Sequence, residues 1–172
     1  MKTWLISDTH FGHSNILTFK KGDGSPLREF LDVFHMDFHM MTTWNSVVKP
    51  EDKVYHLGDV GFKNFTYLKR IFDELNGRKI LIKGNHDNFK LSQYQQIFAD
   101  IRAYHVLDGI LLGHIPVHPD ALSKWKGQIH GHTHSFNMED QRYYNVSVEV
   151  IDYIPVDFEV IREYFDELSS KK

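Results

Sequence analysis

Lys79-Ile80-Leu81-Ile82-Lys83-Gly84-Asn85-His86-Asp87 decides how this chain is read. A short apolar run stops at a glycine, and an amide, an imidazole and a carboxylate follow it. Apolar runs of this length bounded by glycine fit core strands better than helices. The same design recurs along the chain. Lys2 to Ser7 leads into Asp8-Thr9-His10, and Lys53 to Leu57 into Gly58-Asp59. Ile110 to Leu112 leads into Gly113-His114, and Gln128-Ile129 into Gly131-His132-Thr133-His134. Parallel strands gather their carboxyl ends at one edge of a sheet, where open α/β folds place their ligand site. Oxygen and imidazole donors brought together from five such ends make a metal site, with enough donors for two ions.

Helical periodicity fills the intervals. Leu68, Ile71, Phe72 and Leu75 follow i, i+3, i+4, i+7 and stop at Asn76-Gly77. Phe158, Ile161, Phe165 and Leu168 repeat that stripe after Pro155. The longest helix is predicted from about Glu29 to Val48, with Phe30, Phe34, Phe38, Met41, Trp44 and Val48 on its buried side. Strand–helix alternation in the first half predicts a parallel sheet. The strand-rich stretch from Ile101 to Val156 predicts a second sheet packed on the first. Lys20 to Ser25 reads as a turn-rich loop, either a rim over the site or a surface loop. No linker or repeat divides the sequence, so one domain is expected over 1–172.

Composition narrows the classes. The chain has 172 residues, 41% hydrophobic and 14% aromatic, which is globular and enough for a real core. It has no cysteine, which removes disulfides, thiolate zinc sites, iron–sulfur clusters and cysteine nucleophiles. The absence of a signal peptide and of any run near the ~20 apolar residues of a membrane span leads to the expectation of a cytoplasmic protein without membrane contact. A formal net charge of -3, from 20 basic and 23 acidic residues, disfavours stable binding of long nucleic acid. Twelve histidines are many for this length, and the motifs use about half of them.

Taken together, Asp8-Thr9-His10, Gly58-Asp59, Gly84-Asn85-His86-Asp87, His114 and Gly131-His132-Thr133-His134 resemble the signature of the calcineurin-like metallophosphoesterases. The opening Asp8-Thr9-His10-Phe11-Gly12-His13, Trp44-Asn45 and Tyr55-His56-Leu57-Gly58-Asp59 look most like small bacterial and phage-borne members. The resemblance covers residues 3 to about 158. It implies an α/β fold, a four-layer α/β/β/α sandwich of two mixed β-sheets flanked by helices. It also implies two divalent transition-metal ions, manganese favoured, with iron, nickel, cobalt or zinc as the other candidates.

By this resemblance Asp8, His10 and His134 bind the first ion, Asn85, His114 and His132 bind the second, and Asp59 bridges them. His86 contacts the phosphate or protonates the leaving oxygen, and Asp87 orients it. The implied reaction is attack of a metal-bridging hydroxide on a small or nucleotide-like phosphodiester. A nuclease and a phosphomonoesterase use the same site chemistry, and a non-catalytic scaffold binding a protein is the reading from another class. The family's lone histidine often stands in a Ser-His-Tyr-Pro-like turn, whereas this chain has Gly113-His114-Ile115-Pro116 with His118 close behind. His114 is preferred because it ends the strand. His13 and Arg28, with Asn85, are the candidate substrate contacts; for Arg28 a surface salt bridge is an equal reading. His56 is either an outer partner of the site or simply packed. His35 and His39, at i, i+4, read as the polar face of a helix.

Overall fold

The computed structural model describes residues 1–170, so the last two positions of the expected domain lie outside the described residues. Strands β1 (Thr3–Ile6), β2 (Lys53–His56), β3 (Arg78–Ile82) and β4 (Asp100–Arg102) run parallel. With β9 (Val156–Asp157), antiparallel to β1, they make a five-stranded sheet of order β4-β3-β2-β1-β9. Strands β5 (His105–Leu107), β6 (Ile110–Leu112), β7 (Gly127–His130) and β8 (Tyr143–Asn145) make a four-stranded sheet. There β5 is antiparallel to β6, and β6, β7 and β8 are parallel. The expected second sheet is therefore present but shorter than 101–156, because β4 and β9 at its margins pair with the first sheet instead.

Strand alternation explains the layering. Leu5, Tyr55, Ile80 and Ile82 face Ile110, Leu112 and Ile129 of the second sheet, with Phe158, Ile161 and Phe165 in the same core. The last three lie on α4 (Phe158–Ser170). Trp4, Ile6, Val54 and Leu81 point the other way, into a core built with α1 (Val33–Val47) and α2 (Phe65–Glu74). A short helix, α3 (Leu91–Tyr94), adds the buried Tyr94. On the outer face of the second sheet, Leu111 and Tyr143 pack on Leu122 of a 3-10 turn, Pro119–Lys124. The result is an α/β fold with two mixed sheets flanked by helices.

Helix α1 differs from expectation at its start and on its face. Asp32 caps it by accepting the His35 N–H at 2.8 Å, so the helix begins at Val33, not near Glu29. Its buried side is Met36, Asp37, Met40 and Trp44, while Phe34 and Phe38 are 58% and 69% exposed. Two apolar stripes run along this helix and meet at Trp44. The methionine stripe is the inner one because it carries Asp37 to the Gly12 N–H at 2.9 Å and the Tyr67 hydroxyl at 2.7 Å. The end of α1 is tied to α2: Asn45 donates to the Glu74 carbonyl and accepts from the Asn76 N–H, and the Trp44 indole donates to the Asn76 carbonyl.

The two sheets are joined at their carboxyl ends. Ser7, just past β1, donates its N–H to Val146 and accepts from Val148, a parallel bridge to Ser147 beyond β8. This seam brings the loops after β1, β2 and β3 against those after β6, β7 and β8. No helix among the described residues is long and apolar enough to cross a membrane.

Candidate metal centre

Every one of the five motif loops leaves the carboxyl end of its strand and enters this seam. The turns are too tight for ordinary backbone. Asp8, His10, Asp59, His132 and His134 have φ of 57°, 51°, 56°, 68° and 49°. The left-handed region costs a non-glycine residue roughly 1–2 kcal/mol, and such strain gathers at functional sites. Two motif glycines are required by close approach rather than by φ. A Cβ on Gly84 would run into the Asp59 carboxylate, and one on Gly131 into Ser7 and the Asp8 carboxylate.

Asp8 is fully buried, and its Oδ2 accepts from the His132 N–H at 2.9 Å and the Ser147 hydroxyl at 3.0 Å. Its Oδ1 has no hydrogen-bond partner, and neither ring nitrogen of the buried His10 has one. His10 Nε2 stands 3.8 Å from Asp8 Oδ1 and 3.8 Å from Asp59 Oδ2. That is too long for a hydrogen bond. It is within reach for atoms that each lie about 2.1 Å from a shared ion. Asp8, His10 and His134 offer ligand atoms all within 4.8 Å of one another, and so do Asp8, Asp59 and His114.

The second half of the cluster has the same character. His114 Nδ1 lies 2.7 Å from the Leu57 carbonyl, to which it donates, leaving the Nε2 lone pair turned inward. That nitrogen faces Asn85 Oδ1 at 2.9 Å and Asp59 Oδ2 at 3.4 Å. His132 Nδ1 lies 3.0 Å from the same Asn85 oxygen. With its Nδ1 committed to Leu57, His114 can meet that oxygen through Nε2 only with an added proton or a shared metal ion, whereas the His132 contact turns on which ring nitrogen carries its proton. The donor set, imidazole with carboxylate and amide oxygen and no sulfur, fits a divalent transition ion.

Electrostatics follow. Burial alone would raise the Asp8 carboxyl, yet the imidazoles of His10, His114 and His134 hold it below its ordinary value. Burial also opposes the charged form of Asp59, and His114 reverses that. Burial keeps His10 and His132 neutral, the state a ligand needs. Against burial, Asp59 and Asp8 raise His114 and Glu149 raises His134.

The expected ligands Asp8, His10, Asp59, Asn85, His114, His132 and His134 all meet at this seam. His118 does not: it caps the Pro119–Lys124 turn, and its side chain is 77% exposed. His86 lies at the exposed edge, its backbone N–H on Asp59 Oδ1 at 2.8 Å and its ring 5.2 Å from Phe62. His13 stacks on Phe62 at 4.1 Å, 5.5 Å from His10; burial, with His10 and Arg28 near, lowers it to about 4.

Two expectations are corrected. Asp87 does not orient His86. Its Oδ2 accepts from Gly84 at 2.7 Å and Asp59 at 3.0 Å, and its Oδ1 from Val60 at 3.0 Å and the Tyr94 hydroxyl at 3.4 Å. It therefore laces the loops after β2 and β3 together. Arg28 offers nothing to a substrate. Its side chain is completely buried, paired with Glu149 at 2.7 Å and donating to the carbonyls of Asp8 and Thr9.

Glu149 was missed by sequence reasoning. It receives His134 Nδ1 at 2.9 Å as well as Arg28, and so fixes the orientation of that imidazole. His56 is an outer partner. Its Nδ1 accepts from the Gly58 N–H, its Nε2 meets Thr9 Oγ1 at 2.9 Å, and burial lowers it to about 3. The Lys20–Ser25 loop closes on itself through Lys21 N–H to the Ser25 carbonyl at 2.8 Å.

Fold and cluster define a two-sheet α/β protein with a histidine–carboxylate centre at its strand ends. The chain belongs to the family of an uncharacterized protein of Methanocaldococcus jannaschii. The two are 35% identical over 169 residues, spanning 93% of this chain and 89% of that protein. The gene 66 protein of Mycobacterium phage L5 is 32% identical over 167 residues, 77% of each chain. The crystal structure of a protein of unknown function from Aquifex aeolicus matches with a TM-score of 0.74 and 31% identity, covering 94% of this chain and 98% of that one. No protein-family model matches the chain.

Proposed function

We propose that this protein is a dinuclear metal-dependent phosphoesterase of the calcineurin-like type, with the four-layer sandwich of that group, acting on small or nucleotide-like phosphodiesters. One observation carries the reading. Asp8 Oδ1 and both His10 ring nitrogens are buried without partners, beside the converging oxygens and imidazoles of Asp59, Asn85, His114 and His132. A purely structural core satisfies its buried polar atoms, as Asp87 and His56 do here. Asp8, His10 and His134 would hold one ion and Asn85, His114 and His132 the other, with Asp59 between them. Bound there, two divalent ions, manganese favoured, would supply Lewis-acid polarisation of the phosphoryl group and an acidified water as nucleophile.

The chain's own residues do the rest. Glu149 and the Leu57 carbonyl lock the rings of His134 and His114. His86 has no ring hydrogen bond among the described residues, so its imidazole is free to give a proton to the leaving oxygen. His13, kept neutral by burial, lines the neighbouring edge with Phe62. The Asp87 lacing holds Asp59, Gly84 and Val60 in fixed relation, so the cluster is pre-organised.

The test is hydrolysis of bis-p-nitrophenyl phosphate against p-nitrophenyl phosphate by metal-stripped protein with manganese restored. The expected result is manganese-dependent cleavage favouring the diester, lost in Asp59→Asn and His86→Ala. Metal-loaded protein that cleaves neither compound overturns the proposal.

A further inference from the structure

Beside the second half of the metal centre lies a cavity of about 460 Å³, with Asn85 and His114 on its wall. That size suits a small-molecule site. Tyr104, Leu111, Ile115 and Trp125 line the rest. Tyr104 and Ile115 are 63% and 51% exposed, so their side chains are accessible to a ligand. The wall is rigid. Gln128 donates to the Ile115 carbonyl at 2.9 Å and accepts from the Val117 N–H at 2.8 Å, and the Tyr143 hydroxyl donates to Val117 at 2.6 Å. The Trp125 N–H closes the preceding 3-10 turn on Leu122 at 3.0 Å. A groove built this way is formed before any ligand arrives.

Three of the lining residues carry hydrogen-bonding groups with no partner among the described residues: the Trp125 indole N–H, the Tyr104 hydroxyl and the Lys83 ammonium. Aromatic walls with donors at the rim match a flat ring whose edge carries acceptors. An alkyl chain would use the walls and leave the donors idle. We infer that this cavity is the subsite for a planar, acceptor-bearing aromatic group, of the nucleobase kind, esterified to the phosphate in the metal centre. Tyr104 and Trp125 would supply aromatic faces for the ring and Lys83 a donor for its edge. This rests on the phosphoesterase reading for the phosphate, but the subsite itself is defined by binding.

Two measurements on the full chain separate those claims. In calorimetry, thymidine 5′-monophosphate should bind more tightly than methyl phosphate. Trp125→Ala should weaken it about tenfold, the scale of one base stacked on one aromatic side chain, and Trp125→Phe should restore most of that loss. In kinetics, the ratio of kcat/KM for the p-nitrophenyl ester of thymidine 5′-monophosphate over methyl p-nitrophenyl phosphate should collapse in Trp125→Ala and fall in Tyr104→Ala. Equal binding of the two phosphates, or a preference untouched in both variants, overturns the subsite. Trp125-dependent nucleotide binding without cleavage of either ester upholds the subsite and overturns the phosphoesterase reading.

Discussion

The two ends of the first sheet's parallel strands treat a buried carboxylate in opposite ways. At the amino end Asp52 takes the Lys2 N–H at 2.6 Å, the Trp4 indole at 3.0 Å and the Lys49 N–H at 3.1 Å. Its charge is fully answered by donors, and it pins the first strand to the turn before β2. At the carboxyl end Asp8 is buried more deeply, yet one oxygen has no partner and its neighbour is the unpartnered His10 imidazole. Burial with satisfaction builds a fold. Burial without it stores a demand for a cation, which the left-handed residues at Asp8, His10, Asp59, His132 and His134 hold in place.

The sharpest way to break this contrast is at Asp59. Asp59→Asn should cut metal-dependent diester cleavage by more than the ~10–100-fold expected for an outer partner, with the folded structure retained by circular dichroism. Next comes Asp87, a carboxylate in the same loops whose oxygens, like those of Asp52, are answered by donors. Asp87→Ala strands the amides of Gly84, Asp59 and Val60, at about 1–3 kcal/mol for each buried donor left unpaired. Urea unfolding should register the loss even in metal-free protein. Glu149→Gln should lower metal affinity by ~10–100-fold through His134, read by manganese titration, and destabilise the protein by weakening the Arg28 pair.

The amino end gives a pH prediction. The Lys2, Trp4 and Lys49 donors hold the Asp52 carboxyl down at about 2, from 3.8. A depressed carboxyl stabilises the fold fully above its unfolded value and loses that contribution as pH falls toward the folded one. The wild-type unfolding temperature should therefore drop between about pH 4 and pH 2, and Asp52→Asn should flatten that drop. The smallest effect is expected at His118, exposed and outside the cluster. His118→Ala should change stability by less than about 0.5 kcal/mol and leave metal content untouched, whereas His114→Ala should reduce metal content.

What was legible follows from range. Strand ends are readable because a ligand-type residue follows each apolar run within two or three positions, behind a glycine in four of the five. The buried stripes of α2 and α4 were readable because one face of each is apolar. Helix α1 was misread because it carries two stripes, and only the tertiary partners of Asp37 choose between them. Sequence alone pairs Asp87 with its neighbour His86, but the loop turns its carboxylate inward onto backbone amides. Glu149 left no local signal, since its ion-pair partner Arg28 is 121 positions away. Its only trace was a lone carboxylate following the buried run Val146-Ser147-Val148.

The central claim is that the carboxyl-end cluster exists to hold two divalent ions. It is tested most directly by counting manganese bound per chain at equilibrium, in wild-type protein and in Asp8→Asn. The account predicts two ions in the wild type and a loss of at least one in the variant, with wild-type stability rising by about 2.7 kcal/mol per ion at a hundredfold excess over Kd. No stoichiometric binding by wild-type protein, or full binding by Asp8→Asn, would contradict it.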